Sequence, residues 1–107
     1  MSKTKDNLRQ RIDSLILAER QQYRRAQLAI DAGYVRFGHI LAHFFSTQGS
    51  ISRMIDVLFC GRVSRKQMIE FRVRERQVLD SIAQSRAAIV RAAEDWHASH
   101  ASASMIA

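Results

Sequence analysis

The stretch that decides the fold is Gly61–Arg76, GRVSRKQMIEFRVRER, in which a turn leads into a long helix. Ser64 is a residue type that caps helix N-termini, and the side chain of Gln67, three positions later, can reach back to the Ser64 amide. This capping box predicts that a helix begins at Ser64. We expect that helix to run to about residue 97.

The first turn of this helix carries cations, although positive side chains oppose the partial positive charge of a helix N-terminus. Free amides and cations together suit a phosphate or a carboxylate, so the turn indicates an anionic partner. The predicted nucleic-acid contacts are Arg62, Ser64, Arg65, Lys66, Gln67, Arg72 and Arg76, of which Arg65, Arg72 and Arg76 form one exposed row. A solvated helix face without a partner would explain the same charges equally well.

The core-facing positions of this helix alternate at spacings of three and four residues, which is the heptad pattern of a coiled coil. They are Met68, Phe71, Glu75, Val78, Ile82, Ser85, Ile89, Ala92 and Trp96. Glu75 and Ser85 interrupt the apolar seam, so it is not a pure zipper.

An apolar line at helical spacing from Leu8 to Phe44 predicts a first long helix over about residues 4–45. Gly33 lies on that line. The alternative is a break at Gly33, because Asp-Ala-Gly resembles a helix C-terminus. Residues 46–50 are predicted to form a loop, and residues 51–60 a short helix.

These elements predict an all-α fold, a long antiparallel helical hairpin with a short connecting helix. Such a hairpin would place Glu75 near Arg36, and the N-terminal cations far from the Ser64 turn. Residues 1–97 are expected to form a single domain, followed by a frayed Ala/Ser tail over 98–107. A second hairpin should cover the apolar residues off the main seams and give a dimeric helical bundle. Those residues are Ile16, Leu17, Leu28, Ile69, Leu79 and Val90.

Composition narrows the class of partner. The 107 residues include 17 Lys and Arg against 10 Asp and Glu, a formal charge of +7. This balance favours nucleic acid, an anionic membrane surface or an acidic protein. The N-terminus has no apolar signal segment, the longest uncharged stretch is too short and polar to span a bilayer, and the single Cys60 fits a reducing compartment. We therefore expect a cytoplasmic protein.

Motifs that carry chemistry are missing from the sequence. It has no glycine-rich phosphate loop, no nucleophile elbow and no paired carboxylates framed by apolar residues, so we expect no enzymatic activity and no cofactor. His39 and His43 have the spacing of two metal ligands, but no third ligand is near them, and no metal site is predicted.

Two functions remain as hypotheses. The first is a dimeric nucleic-acid-binding protein of the accessory or regulatory kind that uses the helix from Ser64. Its most specific form is a DNA-binding helix-turn-helix, made of the helix over residues 51–60, a turn over residues 61–63 and a recognition helix that begins at Ser64. The alternative is a helical-hairpin adaptor or chaperone that completes its core with a partner helical protein in a bacterial secretion or conjugation assembly.

Overall fold

The computed structural model describes the backbone of residues 3–106 and the side chains of residues 3–101. Within the described backbone the chain forms three helices, α1 (Lys3–Asp31), α2 (Phe37–Leu58) and α3 (Arg65–Ile106). They form a narrow bundle measuring 67 × 19 × 18 Å. The predicted all-α class is confirmed, and each consecutive pair of helices forms an antiparallel hairpin. Over the described residues, none of the helices is long and apolar enough to cross a membrane.

The first and last helices run parallel. Three side-chain contacts join α1, or the turn that follows it, to α3. In chain order they are Arg11–Glu75, Gln22–Ser85 and Tyr34–His97. Because both residue numbers rise together, the two helices point the same way. The register that placed Glu75 near Arg36 is therefore wrong, and the antiparallel neighbour of both long helices is α2.

The chain reverses at Gly33, so the prediction of one helix over residues 4–45 is wrong and the alternative break is confirmed. Gly33 has a φ of +88°, in the left-handed region that favours glycine. Its amide donates to the Ile30 carbonyl (3.0 Å), and the Tyr34 amide donates to the Ala29 carbonyl (2.9 Å). This is the Schellman pattern of a helix C-terminus. The apolar line continued past Gly33 because α2 also packs on the core.

The predicted loop over residues 46–50 and the separate helix over 51–60 are also wrong, because residues 46–58 lie within α2, whose C-cap is Phe59. Thr47 and Ser50 are buried, at 1% and 8% exposed. Their small side chains continue the buried stripe between Phe44 and Met54, and the Thr47 hydroxyl donates to the Phe44 carbonyl (3.0 Å). Packing of this stripe outweighs the low helix propensity of a Ser/Thr/Gly-rich segment.

The C-terminal helix extends beyond the predicted end at residue 97, because α3 continues to Ile106. Alanine has the highest helix propensity and offsets the serines that alternate with it. Fraying of the last turns in solution stays a prediction.

The core consists of two apolar clusters with a polar layer between them. The larger cluster contains Leu8, Ile12, Leu15, Ile51, Met54, Val57, Phe71 and Val78. The smaller one contains Ala26, Ile40 and Phe44. The polar layer consists of Gln22, Thr47, Ser50 and Ser85. Gln22 Nε2 donates to Ser85 Oγ (3.2 Å), while Gln22 Oε1 is buried without a hydrogen-bond partner. A buried polar pair of this kind favours one register of α1 against α3.

We expect the folded state to lose stability as the pH falls below about 6.5, because burial disfavours the protonated form of His43 in it. His43 Nδ1 lies 2.7 Å from Ser81 Oγ, and its Nε2 is buried without a partner. Burial lowers the pKa of His43 below its usual value, so the unfolded chain binds the proton more readily. Urea unfolding at pH 7.5 and 5.5 measures the loss.

A His43→Gln variant, which stays neutral at both values, is the control and should lose less stability over this interval. The carboxyl of Glu19 acts in the opposite direction at lower pH, because burial raises its pKa. Glu19 is present in both proteins, so its effect on stability cancels when their losses are compared. An equal loss in both proteins would contradict the role of His43.

Candidate nucleic-acid interface

The capping box at the start of α3 is confirmed. The Ser64 amide donates to Gln67 Oε1 (2.8 Å), and the Gln67 amide donates to Ser64 Oγ (3.1 Å). Gln67 Nε2 also lies 3.0 Å from Cys60 Sγ. Both polar side chains predicted as contacts therefore hold the helix start, and Gln67 could reach a base edge only by leaving the cap.

The helix-turn-helix interpretation is wrong. Such a motif joins two short helices at roughly 90–120°, whereas α2 begins at Phe37 and lies antiparallel to α3. The two helices pack side by side. His43 lies within hydrogen-bond distance of Ser81, and Val57 and Phe71 belong to the same apolar cluster. The start of α3 therefore lies at one end of the three-helix bundle, and it does not project from a compact domain as a recognition helix does.

The parallel course of α1 and α3 brings two basic segments together that the predicted hairpin kept apart. Lys5 Nζ donates to the Cys60 carbonyl (2.6 Å), which joins the start of α1 to the turn before α3. Thr4 and Lys5 line one shallow depression together with Gly61 and Arg62. The cations gathered here, which we call the basic end, are Lys3, Arg9, Arg62, Arg65, Lys66 and Arg72.

All six cations of the basic end are exposed, and within the described side chains none of them forms an ion pair. Four of the seven predicted contacts belong to this group. A fifth, Arg76, lies 3.5 Å from Asp80 in an exposed pair along α3. The same turns of α1 and α3 carry few acids, chiefly Asp6 and Glu70, so a positive surface remains.

Arg11 differs from these cations because it is bound within the protein. Its Nε donates to Glu75 Oε2 (2.8 Å), Nη2 donates to Oε1, and the guanidinium lies 5.1 Å from the centre of the Phe71 ring. The hydrogen bond from Arg11 lowers the pKa of the Glu75 carboxyl, and the same bond raises the pKa of Arg11. Arg11 therefore fixes the register of α1 and α3 and is not free to bind a phosphate.

Lys3, Arg9 and Phe59 belong to this surface but were not among the predicted contacts, and Phe59 is the one aromatic residue of the three. It follows the last residue of α2, and its side chain is 83% exposed. The groove beside it is lined by Lys5, Asp6, Arg9, Asp13, Ile55, Leu58 and Phe59. Phe59 lies off the buried stripe of α2, and that position was the signal available in the sequence. Two cations, Lys5 and Arg9, and two acids, Asp6 and Asp13, share this groove with Phe59, whose exposed ring offers a face on which a nucleobase can stack.

No metal site is predicted at His39 and His43, and the structure shows where these two side chains lie. His43 points to Ser81, while His39 is exposed on the preceding turn. Over the described part of the chain, no three His, Cys, Asp or Glu side chains cluster closely enough to hold an ion.

No protein family, curated protein or solved structure matches this chain. The function is therefore proposed from the geometry of the basic end.

Proposed function

We propose that this protein is a small, non-enzymatic nucleic-acid-binding protein of the accessory kind, and that the basic end is its contact surface. The observation that carries the proposal is the parallel alignment of α1 and α3, since it gathers unpaired cations from two helices and a turn beside an exposed aromatic ring.

The backbone adds to the attraction for anions. The N-termini of α1 and α3 both lie at the basic end, and each carries a partial positive charge. The C-terminus of α2 lies there too and carries the opposite partial charge, but the ammonium of Lys5 binds the carbonyl of Cys60 beside it. The field at this end therefore favours a phosphate chain over a cationic partner.

The arrangement of side chains favours single-stranded nucleic acid over duplex. Cations spread around one blunt end follow a flexible backbone, and Phe59 can stack only on a base that is not already stacked in a helix. Single-stranded nucleic acid should therefore bind more tightly than duplex, which would be bound through phosphate contacts alone.

Binding should weaken linearly in log salt, and the slope counts the phosphate contacts. Arg62→Ala and Arg65→Ala are each expected to reduce the magnitude of that slope by about one unit. Phe59→Ala should weaken single-strand binding by about 1–3 kcal/mol while leaving the slope unchanged, because stacking releases no counterion. Fluorescence anisotropy with labelled mixed-sequence DNA and RNA, single-stranded and duplex, measures both quantities.

Arg36→Ala is the matched control, because it removes the same charge from an exposed site at the opposite end of the bundle. It should change binding little. No binding of any of these nucleic acids at about 50 mM salt, or an equal effect of Arg36→Ala and Arg65→Ala, would refute the proposal.

The second candidate is an adaptor or chaperone that binds a partner helical protein. It is favoured by large apolar side chains exposed away from the basic end, notably Phe45 at 65% and Leu28 at 64%. Absence of nucleic-acid binding would leave this candidate in place.

A further inference from the structure

The outward side of α3 carries a second regular seam. Its positions, which we call the α3 outer face, are Ile69, Val73, Arg76, Asp80, Ala83, Ala87, Val90 and Glu94. They alternate at spacings of four and three, which keeps them on one line along a helix. Every one of them is exposed, whereas Phe71, Val78 and Ser85 on the other side of the helix are buried.

This seam is symmetric about the level of Ser85. Positions 76 and 94 are equally distant from residue 85, as are 80 and 90, and 83 and 87. A second α3 laid antiparallel on the first would therefore place these six members of the seam opposite one another, while Ile69 and Val73 would lie level with residues 101 and 97 of the second copy. The small side chains of Ala83 and Ala87 would meet at the centre, where they allow two helices to approach to about 8 Å.

The charges agree with this arrangement. Arg76 would face Glu94 of the partner subunit, and the two-fold axis repeats that pair at the other end of the seam. Asp80 would face Val90 of the partner subunit and lie one residue from the level of Arg91 of the partner subunit, along the same edge. A parallel pairing would instead set Arg76 beside Arg76 of the partner subunit, where like charges repel.

The remaining apolar side chains also match. Leu79, which is 47% exposed, lies outside the seam along its other edge, and the seam residue Val90 is 51% exposed. Under the same symmetry Leu79 would be one residue from the level of Val90 of the partner subunit. The groove on this side, lined in part by Leu79, Ala83, Ala87 and Val90, would receive the partner's side chains.

We infer that two copies of this chain pair through the α3 outer face, antiparallel, about a two-fold axis at the level of Ser85. The occupant of the face is thus a second copy, because antiparallel pairing sets Arg76 against Glu94 at both ends and the small Ala83 and Ala87 against each other at the centre. At 1.5 Å per residue, residue 65 lies about 30 Å from the axis, so the two basic ends would be about 60 Å apart. The inference does not depend on nucleic-acid binding, because the experiments that test it use the protein without nucleic acid.

Exchanging the charges tests the pairing. Arg76→Glu sets two pairs of acids against each other across the axis, and Glu94→Arg sets two pairs of arginines. Each variant alone should dissociate at least about tenfold more readily than the original protein. Mixed together they should form a one-to-one heterodimer, since the acid introduced in one variant then faces the arginine introduced in the other and both pairs are restored. Light scattering and sedimentation over a range of concentrations, with one variant carrying a mass tag, measure this.

Asp95→Arg is the control, because it makes the same charge change on the neighbouring residue, which is off the seam. It should dimerise like the original protein. Circular dichroism checks that each variant is folded, and Ala83→Glu, which blocks the close approach at the centre, should give a monomer by a different route. A monomeric original protein at about 100 µM would overturn the inference. Failure of the mixture to form the heterodimer, or dimers that ignore all three substitutions, would also overturn it.

Discussion

Replacing Phe71 by alanine is expected to lower the free energy of unfolding by about 3–5 kcal/mol, which is a large part of the stability of a domain this small. Phe71 is 0% exposed and packs within the larger apolar cluster. Its ring also lies under the guanidinium of Arg11. The substitution therefore leaves a cavity and removes the support of the Arg11–Glu75 pair. Chemical denaturation followed by circular dichroism measures the change.

Leu28→Ala is the control for this loss. Leu28 is 64% exposed, so truncating it should change the stability by no more than about 0.5 kcal/mol. If Phe71→Ala does not fold, Phe71→Leu offers a milder test with an expected cost of about 1.5 kcal/mol. Equal costs for the Phe71 and Leu28 substitutions would contradict the placement of Phe71 in the core.

Arg11→Met is expected to destabilise the protein by about 1–3 kcal/mol, between the values of an exposed ion pair and a fully buried one. The two side chains are only 28% and 21% exposed, so Glu75 would be left partly desolvated and without its donor. The double variant Arg11→Met, Glu75→Leu removes both charges and should recover most of that loss. Thermal or urea unfolding of the original protein, both single variants and the double variant completes a double-mutant cycle.

The same pair has a defined pH dependence. Because Arg11 lowers the pKa of the Glu75 carboxyl, its stabilisation is fully present above about pH 4.5 and is lost as the pH falls through the folded-state pKa. Arg36→Ala serves as the register control and should leave stability nearly unchanged. A large loss on Arg36→Ala, with none on Arg11→Met, would favour the antiparallel arrangement that the structure contradicts.

Features governed by neighbouring residues could be predicted from the sequence. The capping box of Ser64 and Gln67 depends on a four-residue segment, and it forms as predicted. The inward side of α3 was also predictable, since a spacing of three and four fixes which side chains share a face. Phe71, Val78 and Ser85 are buried accordingly.

The path of the chain could not be predicted in the same way. The apolar line was unbroken through Gly33, so periodicity alone gave no sign of the reversal, and only the Asp-Ala-Gly ending indicated one. The Ser/Thr/Gly-rich segment in α2 resembled a loop because its burial depends on helices distant in sequence. With one reversal missed, α1 and α3 were expected to be antiparallel, and the basic segments were placed at opposite ends.

The candidate site shows the same division. Arg62, Arg65, Lys66 and Arg72 were predicted because their charges are local to one turn and one helix. The contribution of Arg9 and Phe59 depends on α1 and α2 reaching that turn, which requires the three-helix topology. The sequence therefore indicated an anionic class for the proposed partner, and four of the six cations of the basic end.

The parallel pairing of α1 and α3 also has a consequence for how the chain folds. Contacts between these helices join residues 63 or 64 positions apart, as in Gln22–Ser85 and Arg11–Glu75. Closing so long a loop costs more entropy than closing either hairpin, so a hairpin of consecutive helices should form first and the third helix should dock later. During synthesis α3 emerges last, and until then the hairpin of α1 and α2 would leave uncovered the apolar surface of both helices that packs on α3. The nascent hairpin is thus the species most prone to aggregate.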